Sequence, residues 1–461
     1  MQKLEMLQNK NILVMGYALT GKSVAKFLLN HGAHVTINDQ GDLSQDSSLA
    51  QMQALGARVV DKGHPLSLLD QTFDFIVKNP GIPYHIEFIQ EAQRRKIPIY
   101  TDVELASWFC RGDIIGITGS NGKTTTTQLI YHLLQEIDNA KTFLAGNIGI
   151  PILESLSELS PGDHLVTELS SFQLQGTDLF RPHIAVLLNI FAAHLDYHGS
   201  RDQYIEAKLK LINNLGAEDC LIYNYDQEEL HDWIYTNPSQ KIPFAIDKVD
   251  EMVRSHGAYT KDQAIYYRGE KVCELSDIQI PGKHNLSNVL AAICVAKVKG
   301  LSNQTISQVL RNYQGMPHRI QSLGEFQERS FYNDSKATNT VATITALKSF
   351  KAPVIYLGGG LDRGNDFDDL IPYLTNVKAG FVYGQTKDKL AETLIKAGVN
   401  QVETYDNLLT ACQAAYKVTE AGQVLLFSPA CASWDQFKNF EERGQLFIET
   451  IRKLQEDMPY H

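Results

Sequence analysis

The first apolar run, residues 10–15, stops at Gly16, and a helical spacing follows with Val24, Ala25, Phe27 and Leu28 recurring along it. Strand, turn and helix are predicted in that order. A second run, 33–37, ends at Asp39. A third, 73–77, ends in Asn79-Pro80-Gly81, the loop signal expected after a buried strand. Residues 1–98 therefore read as a small parallel α/β unit.

The pattern restarts at Asp113 with a strand over 114–118, a glycine-containing loop and a helix to about Leu134. Strands ending near Ala145, Glu168, Ile190 and Tyr223 follow. A helix opens after Pro281-Gly282 and carries Val289, Leu290, Ala292, Ile293 and Val295, and Met316-Pro317 breaks the pattern before strands resume at Phe331. A larger α/β unit, residues 99–316, fits this alternation. Apolar runs at 353–357, 379–383 and 424–427, each followed by Gly, Ser or Pro and then a helical stretch, predict a third parallel α/β unit over 317–461. The 461-residue length supports three domains at about 150 residues each.

The formal net charge of -11 argues against binding nucleic acid or an acidic membrane face, so any phosphate site must be local, built from a few cations and backbone amides. The cysteines at 110, 220, 273, 294, 412 and 431 form no C-x-x-C pair, which suits reduced thiols in a cytoplasmic protein. The N-terminus has no apolar stretch long enough for a signal peptide, and no run approaches the ~18 apolar residues of a membrane span, so no membrane insertion is expected.

The firmest chemistry is Thr118-Gly119-Ser120-Asn121-Gly122-Lys123-Thr124-Thr125, placed between an apolar strand and a helix. In that context backbone amides and a helix N-terminus can wrap phosphates, Lys123 can neutralise the β- and γ-phosphates and Thr124 can hold Mg²⁺. The consensus places a further glycine at 117, where this chain has Ile117. A plain turn with an exposed lysine is the alternative, and the strand-to-helix context favours ATP. Gly16-Tyr17-Ala18-Leu19-Thr20-Gly21, with Asp39 closing the next strand, has the layout of a dinucleotide turn but lacks its middle glycine. The residues alone leave open a nucleotide site and a simple strand-to-helix turn there.

Glu168 ends an apolar strand, Asn147 ends another, and His194 and Asp196 follow a third. Each alone is most often a cap or a turn residue. Their convergence on the edge that carries the phosphate loop makes Glu168 a candidate Mg²⁺ ligand. Lys208 lies in the helical stretch 203–211, and side-chain chemistry does not select it over Lys210. Farther on, Pro317-His318-Arg319, the run from Asn333 through Asp334, Lys336 and Thr338 to Asn339, and the run from Ser428 to Ser433 place cations, hydroxyls and amides at one sheet edge, with Arg363 as a planar donor for a carboxylate.

These residues carry a resemblance. T-G-S-N-G-K-T at 118–124, E-L-S-S-F-Q at 168–173, H-x-D at 194–196 and P-G-K-H-N at 281–285 resemble the Mur ligase family, in the family's order. D-S-K-A-T-N at 334–339 and S-P-A-C-A-S-W-D-Q-F at 428–437 resemble its D-glutamate-adding branch.

The resemblance implies a Rossmann-like N-terminal domain, a central P-loop-type domain and a Rossmann-like C-terminal domain. It also implies an ATP-dependent acid–amino-acid ligase of peptidoglycan precursor synthesis, acting as a monomer on UDP-N-acetylmuramoyl-L-alanine and D-glutamate. By the same resemblance the UDP-linked substrate is held by Leu19, Thr20, Asp39, Gly81, Asn147 and His194. ATP is held by Gly119 through Thr125 with Asn285, Asn288, Arg319 and Asp334. Two Mg²⁺ sites draw on Thr124, Glu168, His194 and Lys208, the last as a carbamate, and Lys123, His194 and Lys208 are the catalytic set. D-Glutamate is matched to Lys336, Thr338, Ser433 and Phe440. Arg363 stands where relatives carry a lysine for the acceptor's side-chain carboxylate.

Other readings are a sibling ligase that adds a different amino acid or extends folate with glutamate, a non-catalytic nucleotide switch, and a nicotinamide oxidoreductase. The last rests on the first 39 residues alone, and Ala18 counts against it.

Overall fold

The structure, a computed structural model, describes residues 4–191 and 195–457. Its strands form three sheets. The first has five parallel strands in the order Arg58–Val60, His34–Asn38, Asn11–Met15, Phe75–Lys78 and Ile99–Tyr100. Chain order reverses between the third and fourth of these, which makes their carboxyl ends a topological switch point, the place where open α/β sheets bind ligands. Ile12, Leu13, Val14, Ile76 and Val77 are all buried, as helices on both faces require.

The second sheet has nine strands, in the order Glu270–Glu274, Ala264–Tyr267, Ala258–Lys261, Gln240–Ala245, Cys220–Asn224, Ile184–Leu187, Asp113–Thr118, His164–Glu168 and Thr142–Gly146. The third has six, in the order Gln321–Phe326, Arg329–Asn333, Val424–Phe427, Val354–Gly359, Val377–Tyr383 and Gln401–Tyr405. The chain divides into two compact units: residues 1–273 with 287–306, and residues 274–286 with 307–461. The first unit holds the first two sheets and the second holds the third sheet. All six cysteines are free thiols, and no helix among the described residues is long and apolar enough to cross a membrane.

Two hairpins, the second of which departs from the expected parallel third unit, have a common cause. Ala258–Lys261 pairs antiparallel with Ala264–Tyr267, and Gln321–Phe326 pairs antiparallel with Arg329–Asn333, so neither sheet is wholly parallel. Both hairpins turn on two residues with positive φ, Asp262 (48°) with Gln263 (59°) and Gln327 (50°) with Glu328 (59°). That is the geometry that Asn-Gly or Asp-Gly usually marks, and neither pair carries a glycine to announce it.

The strand expected to end near Ile190 stops at Leu187. Beyond it Leu188 still donates to Thr118 O at 3.0 Å, and then Ile190 N turns to Gln227 Oε1 at 2.8 Å, which takes the backbone out of the sheet.

Candidate functional site

Thr118 ends its strand and Lys123 opens the helix Lys123–Leu134, with the loop between them held from several sides. Ser120 N donates to Asn189 O (2.8 Å), Asn121 N donates to Asn189 Oδ1 (2.8 Å), and Asn189 Nδ2 returns a bond to Asn121 O (3.0 Å). Phe191 N donates to Ser120 Oγ at 2.8 Å, and that hydroxyl also meets Tyr204 OH at 2.7 Å.

Gly122 sits at the helix N-cap with φ 83°, and a Cβ there would lie 2.2 Å from Asn288 Oδ1. Only glycine fits both the backbone and the space. The first-turn N–H groups of the helix and the Lys123 ammonium, which donates to Gly119 O (2.8 Å) and Ser120 O (3.0 Å), make this loop electropositive. Ser120, Gly122, Lys123 and Thr124 are half-buried, Asn121 is exposed, and Gly119 and Thr125 are buried.

Glu168 and Lys208 stand beside this loop. Glu168 is buried at the end of its strand; Oε1 accepts from Asn147 Nδ2 at 3.0 Å, and Oε2 is a buried carboxylate oxygen with no hydrogen-bond partner among the described residues. Such an atom is costly unless a cation or donor meets it.

Lys208 is 1% exposed, and its Nζ donates to Gly119 O at 2.8 Å and to Thr118 Oγ1 at 3.3 Å. Burial, reinforced by the Lys123 charge and opposed by Glu168, holds its pKa well below the usual lysine value. Burial therefore disfavours the charged form of this amine. Lys210, which side-chain chemistry alone could not separate from it, instead donates to Gln175 O (2.8 Å) and Thr177 O (2.6 Å).

The described residues contain no group of three or more His, Cys, Asp or Glu able to hold a metal by themselves. A Mg²⁺ ion fits this donor set as one shared with phosphate oxygens and water, with Glu168 Oε2 as its protein carboxylate and the Thr124 hydroxyl available. His194 lies outside the described residues.

At the switch point of the first sheet a cleft of about 320 Å³ is lined by Leu19, Thr20, Asn79, Pro80 and Gly81 from the N-terminal sheet. Asn147, Ser170, Phe172 and Gln173 from the central sheet complete it. Gly16 has φ 89°, and a Cβ on it would lie 2.8 Å from Asn79 Cβ, so the two loops meet too closely for a side chain. Ala18 caps the helix Leu19–Asn30 without a side-chain bond, and Leu19 and Thr20 of its first turn line the cleft. Asp39 Oδ2 accepts from Tyr17 N at 2.6 Å, so this carboxylate buttresses the turn. Four of the six residues matched to the UDP-linked substrate, Leu19, Thr20, Gly81 and Asn147, thus line one cleft, and Asp39 stands behind it.

In the C-terminal unit Asp334 is buried between Ile320 N, which donates to Oδ1 at 3.1 Å, and Ser428 Oγ, which donates to Oδ2 at 2.7 Å. Burial raises its pKa to about 7 against those bonds. Lys336 Nζ lies 5.5 Å from the Phe440 ring centroid, and Arg363 lies over Trp434 at 4.9 Å, next to the buried Ser433. Thr338 is half-buried and Arg319 is exposed. Asn285 and Asn288 are both buried on the helix Lys283–Val298.

Sequence reasoning missed four groups. Asn189 locks the phosphate loop. Asp102 is buried in the cleft wall, with Oδ1 unpartnered among the described residues and a pKa raised to about 6 by burial. Lys78 is buried at a strand end, and Arg443, fully buried, donates to Ser335 O (2.7 Å), Ser335 Oγ (3.0 Å) and Cys431 O (3.0 Å). A lysine directly between an apolar run and the Asn79-Pro80-Gly81 turn is the one signal that could have raised Lys78.

Comparison with known proteins agrees along the whole chain. Three family models match: the Mur ligase MurD-like N-terminal domain over residues 10–101, the Mur ligase middle domain over 117–296, and the Mur ligase glutamate ligase domain over 318–431. The UDP-N-acetylmuramoylalanine--D-glutamate ligase of Geobacillus kaustophilus is 49% identical over 448 residues, 97% of this chain and 98% of that protein. The enzyme of the same name from Enterococcus faecalis is 48% identical, with 99% of each chain covered.

Among solved structures, a UDP-N-acetylmuramoylalanyl-D-glutamyl-2,6-diaminopimelate--D-alanyl-D-alanyl ligase from Acinetobacter baumannii matches with a TM-score of 0.58 at 15% identity, covering 98% of each chain. A UDP-N-acetylmuramate-alanine ligase from Thermotoga maritima matches with a TM-score of 0.57 at 17% identity, covering 97% of this chain and 100% of that one. At those identities the likeness shows the three-domain α/β fold. With relatives near one-half identity over almost its full length, this chain belongs to the Mur ligase family.

Proposed function

We infer that this chain is an ATP-dependent ligase that adds D-glutamate to UDP-N-acetylmuramoyl-L-alanine in peptidoglycan precursor synthesis. The observation that carries the reading is the near-full-length identity of 47–49% to ligases whose names state that reaction. The phosphate loop, the buried Glu168 and the lowered Lys208 supply the chemistry it needs.

In this reading residues 1–98 take the UDP-linked substrate, 99–316 take ATP and 317–461 take the amino acid. The alanyl carboxylate oxygen bonds to the γ-phosphorus as the bond to ADP breaks, giving an acyl phosphate. The amine of D-glutamate then attacks the carbonyl carbon, the amine proton is lost, and inorganic phosphate leaves as the amide forms. Lys123 and the loop amides bind the β- and γ-phosphates and offset the repulsion between two anions. Asn285, Asn288, Arg319 and Asp334 are assigned to the rest of ATP. Lys336, Thr338, Ser433, Phe440 and Arg363 are assigned to D-glutamate, whose carboxylates suit the two cations.

The family uses ATP and Mg²⁺. Two Mg²⁺ are assigned here to Thr124, Glu168, His194 and a carbamylated Lys208, and when bound they neutralise charge on the transferring phosphoryl group. The neutral Lys208 amine adds to carbon dioxide: the N–C bond forms, one C=O π bond opens, and the amine proton departs. This turns a cation beside Glu168 into an anion able to hold metal. The protein is placed in the cytoplasm and acts as a monomer on soluble substrates.

The deciding experiment is phosphate release with ATP, Mg²⁺ and UDP-N-acetylmuramoyl-L-alanine, with D-glutamate or L-glutamate, L-lysine or L-alanine in its place. Release only with D-glutamate, together with a product heavier by one glutamyl residue, supports the reading. Release with another amino acid moves the acceptor, and no release with any of them overturns the ligase.

A further inference from the structure

Lys78 ends the strand Phe75–Lys78, is 1% exposed, and immediately precedes the Asn79-Pro80-Gly81 loop that lines the cleft. Its Nζ donates to Ile82 O at 2.6 Å, Asn79 O at 3.2 Å, Pro80 O at 3.3 Å and Tyr197 OH at 3.3 Å. Tyr197, on the helix Leu195–His198 that follows the second sheet's Ile184–Leu187 strand, donates from its hydroxyl to Pro80 O (2.8 Å) and Ile82 O (3.0 Å). Its ring meets that of Phe172, a cleft-lining residue of the central sheet, at 4.3 Å.

One ammonium therefore ties the substrate loop of the N-terminal sheet to the central domain. Carbonyl oxygens that point at a buried Nζ do not point into the cleft, where they would repel an anion.

The cation is also poorly compensated. No ion pair to it occurs among the described residues, and burial lowers its pKa to about 7. The titratable groups facing it among the described residues are the phenols of Tyr84, whose ring centroid lies 4.6 Å from Nζ, and of Tyr197. Burial pushes both phenols up, so they stay neutral.

We propose that Lys78 is a positioning residue for the anionic, diphosphate-bearing substrate: it locks the 79–82 loop against Tyr197 and sets a buried positive charge behind the cleft wall. The proposal rests on the substrate reading above.

The test compares the full-length protein with Lys78→Met, Lys78→Arg and Tyr197→Phe. Steady-state kinetics are combined with calorimetric binding of UDP, UDP-N-acetylmuramoyl-L-alanine and ATP. Lys78→Met is expected to raise KM for the UDP-linked substrate about 10-fold, with kcat and the KM for ATP within about twofold, and Lys78→Arg to restore part of the loss. Tyr197→Phe, which removes no charge but does remove the hydroxyl that meets Lys78 Nζ, Pro80 O and Ile82 O, is expected to shift the same KM less. It keeps the test open if Lys78→Met folds poorly. Proton uptake on binding UDP near neutral pH should be smaller in Lys78→Met, because an anion draws the lysine toward its charged form.

An unchanged KM in all three variants, or equal losses for ATP and UDP ligands, overturns the proposal. Wild-type protein that binds neither UDP ligand overturns the substrate reading and the proposal with it. Wild-type binding that Lys78→Met leaves intact overturns the proposal alone.

Discussion

Lys208 donates from Nζ to the carbonyl oxygen of Gly119 at 2.8 Å, which ties a buried amine directly to the first glycine of the phosphate loop. The two residues are 89 positions apart in the chain. A buried lysine in that position is too costly to be incidental packing. Lys208→Ala is expected to lower kcat by at least about 100-fold, the scale for losing one preorganised group at a developing charge. Acetate or propionate should restore part of the rate by standing in for the carbamate. Full activity in the variant, or a loss that no small carboxylate relieves, counts against a carbamylated Lys208.

Gly122→Ala places a Cβ 2.2 Å from Asn288 Oδ1 and forces a left-handed conformation at φ 83°. The backbone term alone costs roughly 1–2 kcal/mol for an L-residue. Lower thermal stability and weaker ATP binding are both expected, measurable by differential scanning fluorimetry with and without ATP. An unshifted Tm would mean that the loop rearranges freely.

Asp334 carries a pH signature. Its folded-state pKa is raised to about 7 from 3.8, so between those values the folded protein holds a proton that the unfolded chain has released. Its contribution to stability is therefore greatest below the unfolded value and is lost as pH rises toward about 7. Asp334→Asn should flatten the fall in Tm across that window. Parallel pH curves for parent and variant would show that the carboxyl does not titrate as its burial implies.

Arg363, exposed and lying over Trp434, is assigned to the acceptor's side-chain carboxylate. Arg363→Ala is expected to raise KM for D-glutamate about 10-fold or more, the scale of a charge-assisted hydrogen bond, without changing KM for ATP. Arg363→Lys should recover only part, since a lysine cannot present the bidentate fork. Equal effects on both substrates would remove Arg363 from the acceptor site.

Much of the central site was legible in consecutive residues. The strand-to-helix context of 118–125 locates the phosphate loop, and Glu168 and Asn147 end strands on the same sheet edge because apolar runs stop there. Side-chain chemistry did not separate Lys208 from Lys210, and only the family resemblance matched Lys208. Both are lysines in one helical stretch, and only the path of the helix past Thr118 and Gly119 turns one Nζ toward the loop and the other toward Gln175 and Thr177. The hairpins at Asp262 and Gln327 were hidden for a different reason: their positive φ values are imposed on residues that do not prefer them.

The sequence by itself determined the alternation of strands and helices, the three-domain α/β class and the strand-loop-helix over 118–125. Each of these is written in spacing, turn chemistry and helix initiation among near neighbours, and local sterics enforce them. Tertiary structure alone decided which charged groups are buried and what faces them. Lys78 meets Tyr197 across 119 positions and Ser428 meets Asp334 across 94. Desolvation and hydrogen-bond partnership depend on segments that only folding brings together, so the shifted pKa values of Lys78, Lys208 and Asp334 could emerge only there.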